Sequence, residues 1–191
     1  AFALYAGVGI KYMQGLGMIN AKSDGQTLTA FSSVSPFFGI DYGTAAESNP
    51  SALPEDDGFP PKTVGHGWGF DIGANVVIQN KLKIGAAVTN IGSITWDGNV
   101  YSARDTLFYD TESNGINSWD VKEQLENFVG DEWLFLWDGE ESRVVKLPTT
   151  MRLGASMVFG KKVEVGVDVV APFNEEPGNY EKAIIGVGGD F

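Results

Sequence analysis

The chain contains no cysteine, one histidine, and only 13 basic residues against 25 acidic ones in 191 positions. The absence of cysteine excludes a disulfide scaffold, a thiol nucleophile and a cysteine-ligated zinc. The net charge of −12 argues against nucleic acid as a partner, because that binding depends on neutralising phosphates with Lys and Arg. No stretch approaches the ~18 consecutive apolar residues of a transmembrane helix, and mean hydropathy is only −0.06. A helical membrane protein is therefore excluded. No signal peptide is visible either, since Ala1-Phe2-Ala3-Leu4 carries no basic residue and runs straight into a patterned segment.

What the chain does have is glycine, 25 residues of it, set in long alternating segments. Trp68, Phe70, Ile72, Ala74, Val76 and Ile78 alternate with Gly69, Asp71, Gly73, Asn75, Val77 and Gln79. After a polar turn at Asn80-Lys81, the residues Leu82, Ile84, Ala86 and Val88 alternate with Lys83, Gly85, Ala87 and Thr89. Successive side chains of a strand point to opposite faces, so this hairpin has one apolar face and one polar, glycine-rich face. The same pattern runs through Phe2–Met18, Leu28–Tyr42, Thr150–Phe159, Lys162–Val169 and Lys182–Phe191. About seven strands result, many longer than the roughly 9–11 residues that cross a bilayer at a tilt.

These features predict an all-β protein, an antiparallel up-and-down transmembrane β-barrel of the bacterial outer membrane. On this reading the lipid-facing residues are Phe70, Ile72, Ala74, Val76, Ile84, Val88, Leu153, Met157, Val165 and Val167. The lumen-facing ones are Lys11, Asp71, Asn75, Lys83, Arg152, Glu164, Asp168, Lys182 and Asp190. Trp68, Trp96, Phe159 and Tyr180 form the interfacial aromatic girdle. Charges inside a barrel usually pair across the interior, so the lumen set reads first as a structural network and second as the lining of a passage.

Connection lengths add to the pattern. Outer-membrane barrels have short periplasmic turns and long extracellular loops. Here the short turns near 23–25, 80–81 and 160–162 alternate with longer connections at 44–65, 97–146 and 172–179. The chain thus reads as one barrel domain over 1–191, or part of one, with 97–146 as a long extracellular loop. An odd strand count and patterned ends point to a piece of a longer barrel. Within the long loop, Ser118 is placed to cap a short helix over 119–129. The stretch Trp133-Leu-Phe-Leu-Trp137 is apolar enough to pack against the barrel rim or a partner protein.

Four stretches carry a resemblance. GVGIKYMQGLG from Gly7, GFDIGANVV from Gly69, LKIGAAVTNIG from Leu82 and LPTTMRLGAS from Leu147 resemble uncharacterised outer-membrane barrels of Bacteroidota. Those are similar to the fatty-acid-transporter (FadL-type) superfamily, which also includes a barrel of the type IX secretion system. The strand start Leu147-Pro-Thr-Thr-Met-Arg-Leu-Gly154, followed by Val165-Gly-Val-Asp168, is its most specific element. The resemblance implies a porin-like monomeric barrel of roughly fourteen strands, and transport of small molecules, hydrophobic ones among them.

Sites for chemistry are few. Asp110, Glu112 and Asn114 before Gly115 space oxygen ligands as a calcium loop does, but Val121 stands where a bidentate Glu would close it. An ordinary polar turn is the stronger reading, so no cofactor is expected. His66 lies among glycines with no serine elbow to partner it, which makes a rim residue of it and argues against an enzyme. The glycines of 65–69 and 186–189 are not followed by helices and are not nucleotide loops. Trp119, Trp133 and Trp137 could stack on a sugar or apolar ligand, although packing within the loop is the simpler role.

The expected function is therefore a passive conduit or binding barrel for small molecules, hydrophobic ones among them. A second reading is a structural or docking barrel subunit of a secretion or surface-attachment complex, held through its acidic loops. The third is a soluble β-sandwich binding domain, in which the alternation reflects a core and no lipid is involved.

Overall fold

A computed structural model describes residues 2–23, 27–105, 137–160 and 163–191, with Asp105 described by its backbone alone. The described residues form antiparallel β-sheets, with one short α-helix over Ala45–Ser48. Eleven strands occur among the described residues: β1 (Phe2–Gly15), β2 (Gly17–Ser23), β3 (Leu28–Val34), β4 (Gly65–Ile78), β5 (Leu82–Trp96), β6 (Val100–Asp105), β7 (Trp137–Gly139), β8 (Arg143–Lys146), β9 (Thr150–Phe159), β10 (Val163–Pro172) and β11 (Ile184–Asp190). One sheet has the order β1-β4-β5-β9-β10-β11, with β8 also paired to β5; a second has the order β2-β3-β6-β7.

By contact, the chain divides into two compact units. The first contains 1–13, 67–93 and 146–191, and the second contains 14–66 and 94–145. Among the described residues, every buried apolar side chain except Leu147 belongs to the second unit.

The hairpin β4–β5 shows how local sequence sets register. Gln79 and Asn80 both have left-handed backbones (φ 52° and 55°), and the Lys81 N–H donates to the Ile78 carbonyl at 2.9 Å. Two positive φ values at the centre of the Ile78–Lys81 turn make it a primed turn, whose twist matches that of the flanking strands. The turn centre is one residue earlier than the expected Asn80-Lys81. Between β9 and β10, Gly160 takes φ 65°, where an L side chain would be strained.

Three expectations are corrected. The segment Phe2–Met18 is not one strand, because the chain leaves the first sheet after Gly15 and β2 pairs with β3 in the second. The segment Leu28–Tyr42 is strand only to Val34. Pro36 has no N–H to donate to a ladder, and it opens a 3-10 turn (Pro36–Phe38) that closes on Gly39 at φ 64°. Its removal from the first sheet leaves six strands on the main path, where seven were expected. Lastly, 97–146, expected as a loop carrying one short helix, contains β6, β7 and β8. The Asp97-Gly98-Asn99 stretch, with Asn99 at φ 49°, connects β5 to β6 in the second sheet. The expected helix over 119–129, most of the apolar stretch before Trp137, and the turn at Asp24-Gly25 lie outside the described residues.

The second unit is built like a small soluble domain. Phe31, Val64, Trp96 and Val100 form one cluster, with Met18, Leu53, Ile94 and Val145 packed around it. Tyr42 and Tyr101 stack at 3.8 Å in another, and Trp137 meets Tyr42 edge-on. Two buried polar side chains are tied to backbone: Ser33 Oγ donates to Gly98 O at 2.7 Å, and Asn99 bridges Val34 O and Leu53 N. The hydroxyls of Ser32 and Tyr42 share a 2.7 Å hydrogen bond. Burial pushes the Tyr42 hydroxyl pKa well above its usual value, against the opposing Ser32 bond, and burial also raises that of Tyr101.

Candidate functional site

The first unit presents the candidate site, because its sheet has two faces of opposite character. Ladder register aligns Ile84 with Ala155, Ala155 with Val167 and Val167 with Val187. That row is apolar and belongs to a face carrying Phe70, Ile72, Ala74, Ile84, Leu153, Met157, Val165 and Val167, all exposed, with Val76 and Val88 half-buried. Ile72 is 55% exposed and Val187 78%. Soluble monomers rarely expose contiguous apolar patches beyond a few hundred Å². Trp68 lies on the same face, with its ring 5.0 Å from that of Tyr12, and Phe159 is exposed at a strand end. Tyr180 is exposed in the connection before β11.

Trp96 does not join them. It is 4% exposed and sits in the core of the second unit. A Cβ at Gly15 or Gly65 would come within 2.6 or 2.7 Å of its ring, so those two glycines make its slot. The reason is a change of phase in β5. Asn90 has a left-handed backbone at φ 60°, as a bulged residue does. Exposure passes from the even positions Ile84 and Ala86 to the odd position Ile91. Alternation counted from Leu82 therefore misplaces Trp96.

The opposite face is polar and floored with glycine. One row reads Lys83, Ser156, Gly166, Gly188; the next reads Gly85, Gly154, Asp168, Gly186. Lys83 Nζ pairs with Glu164 Oε1 at 2.9 Å, and Ser156 Oγ donates to the same oxygen at 2.6 Å. Lys11 Nζ pairs with Asp71 Oδ1 at 2.9 Å and donates to Asn90 Oδ1 at 2.6 Å. Exposed pairs of this kind add little stability in water, but they fix where the side chains lie.

Other members of the polar set are not paired. Arg152 and Asp168 are exposed and make no ion pair or hydrogen bond among the described residues. Asp190 lies opposite Glu164 in the ladder, and its carboxylate accepts from Phe191 N. Lys182 falls in the bend ahead of β11, off the ladder. Tyr5, Asn75, Lys83, Arg152, Ser156 and Asp168 line a cavity of about 840 Å³ on this face.

Sequence reasoning missed a polar knot at one end of the sheet. Asn90 N donates to Asp71 Oδ1 at 2.8 Å, while the Asn90 carbonyl accepts from Thr149 Oγ1 at 2.9 Å. Asn174 Nδ2 donates to Leu147 O, and Asn179 Nδ2 donates to Thr149 O, both at 2.8 Å. The Leu-Pro-Thr-Thr motif is thus a structural clamp that starts β9 from a fixed point. Its signal was Asn90-Ile-Gly92, an asparagine and a glycine interrupting an apolar alternation.

The expected calcium ligands Asp110, Glu112 and Asn114 lie outside the described residues. Among the described residues no group of three acidic or histidine side chains is arranged to hold a metal ion. His66 Nδ1 stands 3.4 Å from Asp97 Oδ2 in the second unit, both side chains about half exposed.

Residues 3–178 match the family described as "Family of unknown function (DUF5723)", and the chain belongs to that family. No curated protein matches it. No solved structure does either.

Proposed function

We propose that the first unit is part of a transmembrane β-barrel of the bacterial outer membrane, and that the barrel is a non-enzymatic, passive conduit or binding barrel for small molecules. One observation carries this reading: a ladder-aligned sheet with a broad exposed apolar face and a glycine-floored, charge-bearing opposite face. A lipid-exposed strand must alternate in this way, with apolar residues outward and polar ones toward the lumen. Strands β1, β4, β5, β9 and β10, of 10 to 15 residues, are long enough to cross at a tilt. The seven strands of this sheet fall short of the eight that the smallest such barrels use, so closure needs strands beyond this sheet.

Immunoblotting of fractionated source membranes tests the proposal, with an antibody raised against 97–146. A heat-modifiable band in the outer membrane supports it. A soluble band that needs no detergent overturns it and leaves the sandwich reading in place.

A docking role has a separate support. The acidic run Glu55-Asp56-Asp57 precedes Phe59, whose side chain is 90% exposed. This is an exposed aromatic beside clustered charge on a unit with its own core. Single-channel recording separates the two roles, because a docking barrel without a passage is silent.

A further inference from the structure

We infer that the cavity on the polar face is a binding site for a small zwitterion of amino-acid or dipeptide size, its carboxylate held by Arg152 and its ammonium by Asp168. This rests on the lumen reading above and names the solute class for it.

The cavity exists because side chains are missing from its floor. Gly85 and Gly154 face each other across β5 and β9. Asp168 leans over the gap from β10, so that a Cβ at Gly154 would collide with its Oδ1. From the other side the Asn75 amide reaches over Gly85, its Nδ2 3.7 Å from where a Cβ would stand. Two planar polar groups therefore flank a flat floor, within a space of about 840 Å³.

Charge selects the ligand. Lys83 and Glu164 neutralise each other. Arg152, opposite Val170, and Asp168, opposite Gly154, sit diagonally on neighbouring strands and face the same cavity, yet they do not pair. A free guanidinium offers a fork that fits a carboxylate through two parallel hydrogen bonds. A free carboxylate accepts from an ammonium. An anion would satisfy one and leave the other facing a filled cavity without a partner, and a cation would do the reverse. A zwitterion satisfies both.

The chain has no cysteine, so Ala87→Cys, opposite Arg152 in the ladder and on the cavity wall, is a unique reporter. The full chain carrying it is reconstituted into liposomes and labelled with a water-soluble methanethiosulfonate, with and without alanyl-alanine. The proposal expects labelling to slow several-fold with the dipeptide. It expects little slowing with the N-acetylated or C-amidated dipeptide, and none with the dipeptide after Arg152→Gln or Asp168→Asn. A reporter that labels without protection, or that both blocked dipeptides protect equally, overturns the zwitterion site and leaves the lumen reading intact. A reporter inaccessible to the aqueous reagent overturns the lumen reading itself.

Discussion

Arginine at Ile72 separates a lipid-facing sheet from a water-facing one. Ile72 is the eighth of the fourteen residues of β4, close to its middle, and more than half its surface is exposed. If that surface meets water, Arg removes an exposed apolar group and changes stability by only about 0.5 kcal/mol in either direction. If it meets the bilayer near mid-depth, the charge costs roughly 2–4 kcal/mol, a shift of roughly 30- to 1000-fold in the folded population. The matched control is Asn75→Arg, three residues along on the opposite face, where Gly85 leaves room for the longer side chain. Gly73 is a poor control, because a Cβ there would approach Ala87 Cβ to 3.1 Å and Ala86 O to 3.2 Å. Urea-dependent refolding into liposomes, read by heat-modifiable gel mobility, measures both variants. The reading requires Ile72→Arg to lose folded protein at much lower urea than Asn75→Arg. Equal midpoints would refute the facing assignment.

Three further outcomes follow from the packing. Tyr42 is held protonated in the fold, so the second unit keeps full stability below about pH 10, the unfolded value. It should lose about 1.4 kcal/mol per pH unit above that for this group, and near-UV circular dichroism on an alkaline titration would show the loss blunted in Tyr42→Phe. Gly65→Ala drives a methyl against the Trp96 ring and should cost about 1–3 kcal/mol, measured as a lower thermal midpoint of the same near-UV signal. Thr149→Val removes the donor to the Asn90 carbonyl and should cost about 1–3 kcal/mol. Its urea midpoint in the liposome assay should fall, and an unchanged midpoint would show the knot to be dispensable.

Alternation was a reliable guide where the backbone stayed regular. Across β4, the first part of β5, β9 and β10, every second residue from Phe70, Ile84, Leu153 or Val165 lies on one face, because period two is a property of the extended chain. It failed wherever one residue left that conformation. Asn90 shifted the phase and sent Trp96 into a core, and Pro36 ended a strand whose apolar pattern continued to Tyr42. The transfer of the chain from β1 to β2 left only Gln14, a polar residue at an otherwise apolar position, as its mark in the alternation. Which sheet a strand joins depends on partners distant in sequence, and β2 finds its partner in β3. The charged pairs were legible as a set but not as pairs: Lys83 and Glu164 are 81 positions apart, and only register brings them together.

Where the buried apolar residues lie gives a physical reason to look beyond water for what stabilises the first unit. Hydrophobic burial is the main favourable term in folding, and it must offset the entropy of ordering each residue. The second unit meets that requirement in the ordinary way, by enclosing Phe31, Val64, Trp96, Val100 and Tyr101. Among the described residues, the first has only Leu147 as a buried apolar side chain, while large apolar side chains line one exposed face. Its backbone ladder and polar knot set register but exchange hydrogen bonds with water for hydrogen bonds within the protein, a net gain of only about 0.5–1.5 kcal/mol each. A medium that covers the apolar face would provide the missing term. Inside hydrocarbon, backbone groups would also have to be paired strand to strand, as those between neighbouring strands of this sheet are. On the proposed reading, lipid on one face and water on the other would make both the ladder and the alternation stabilising.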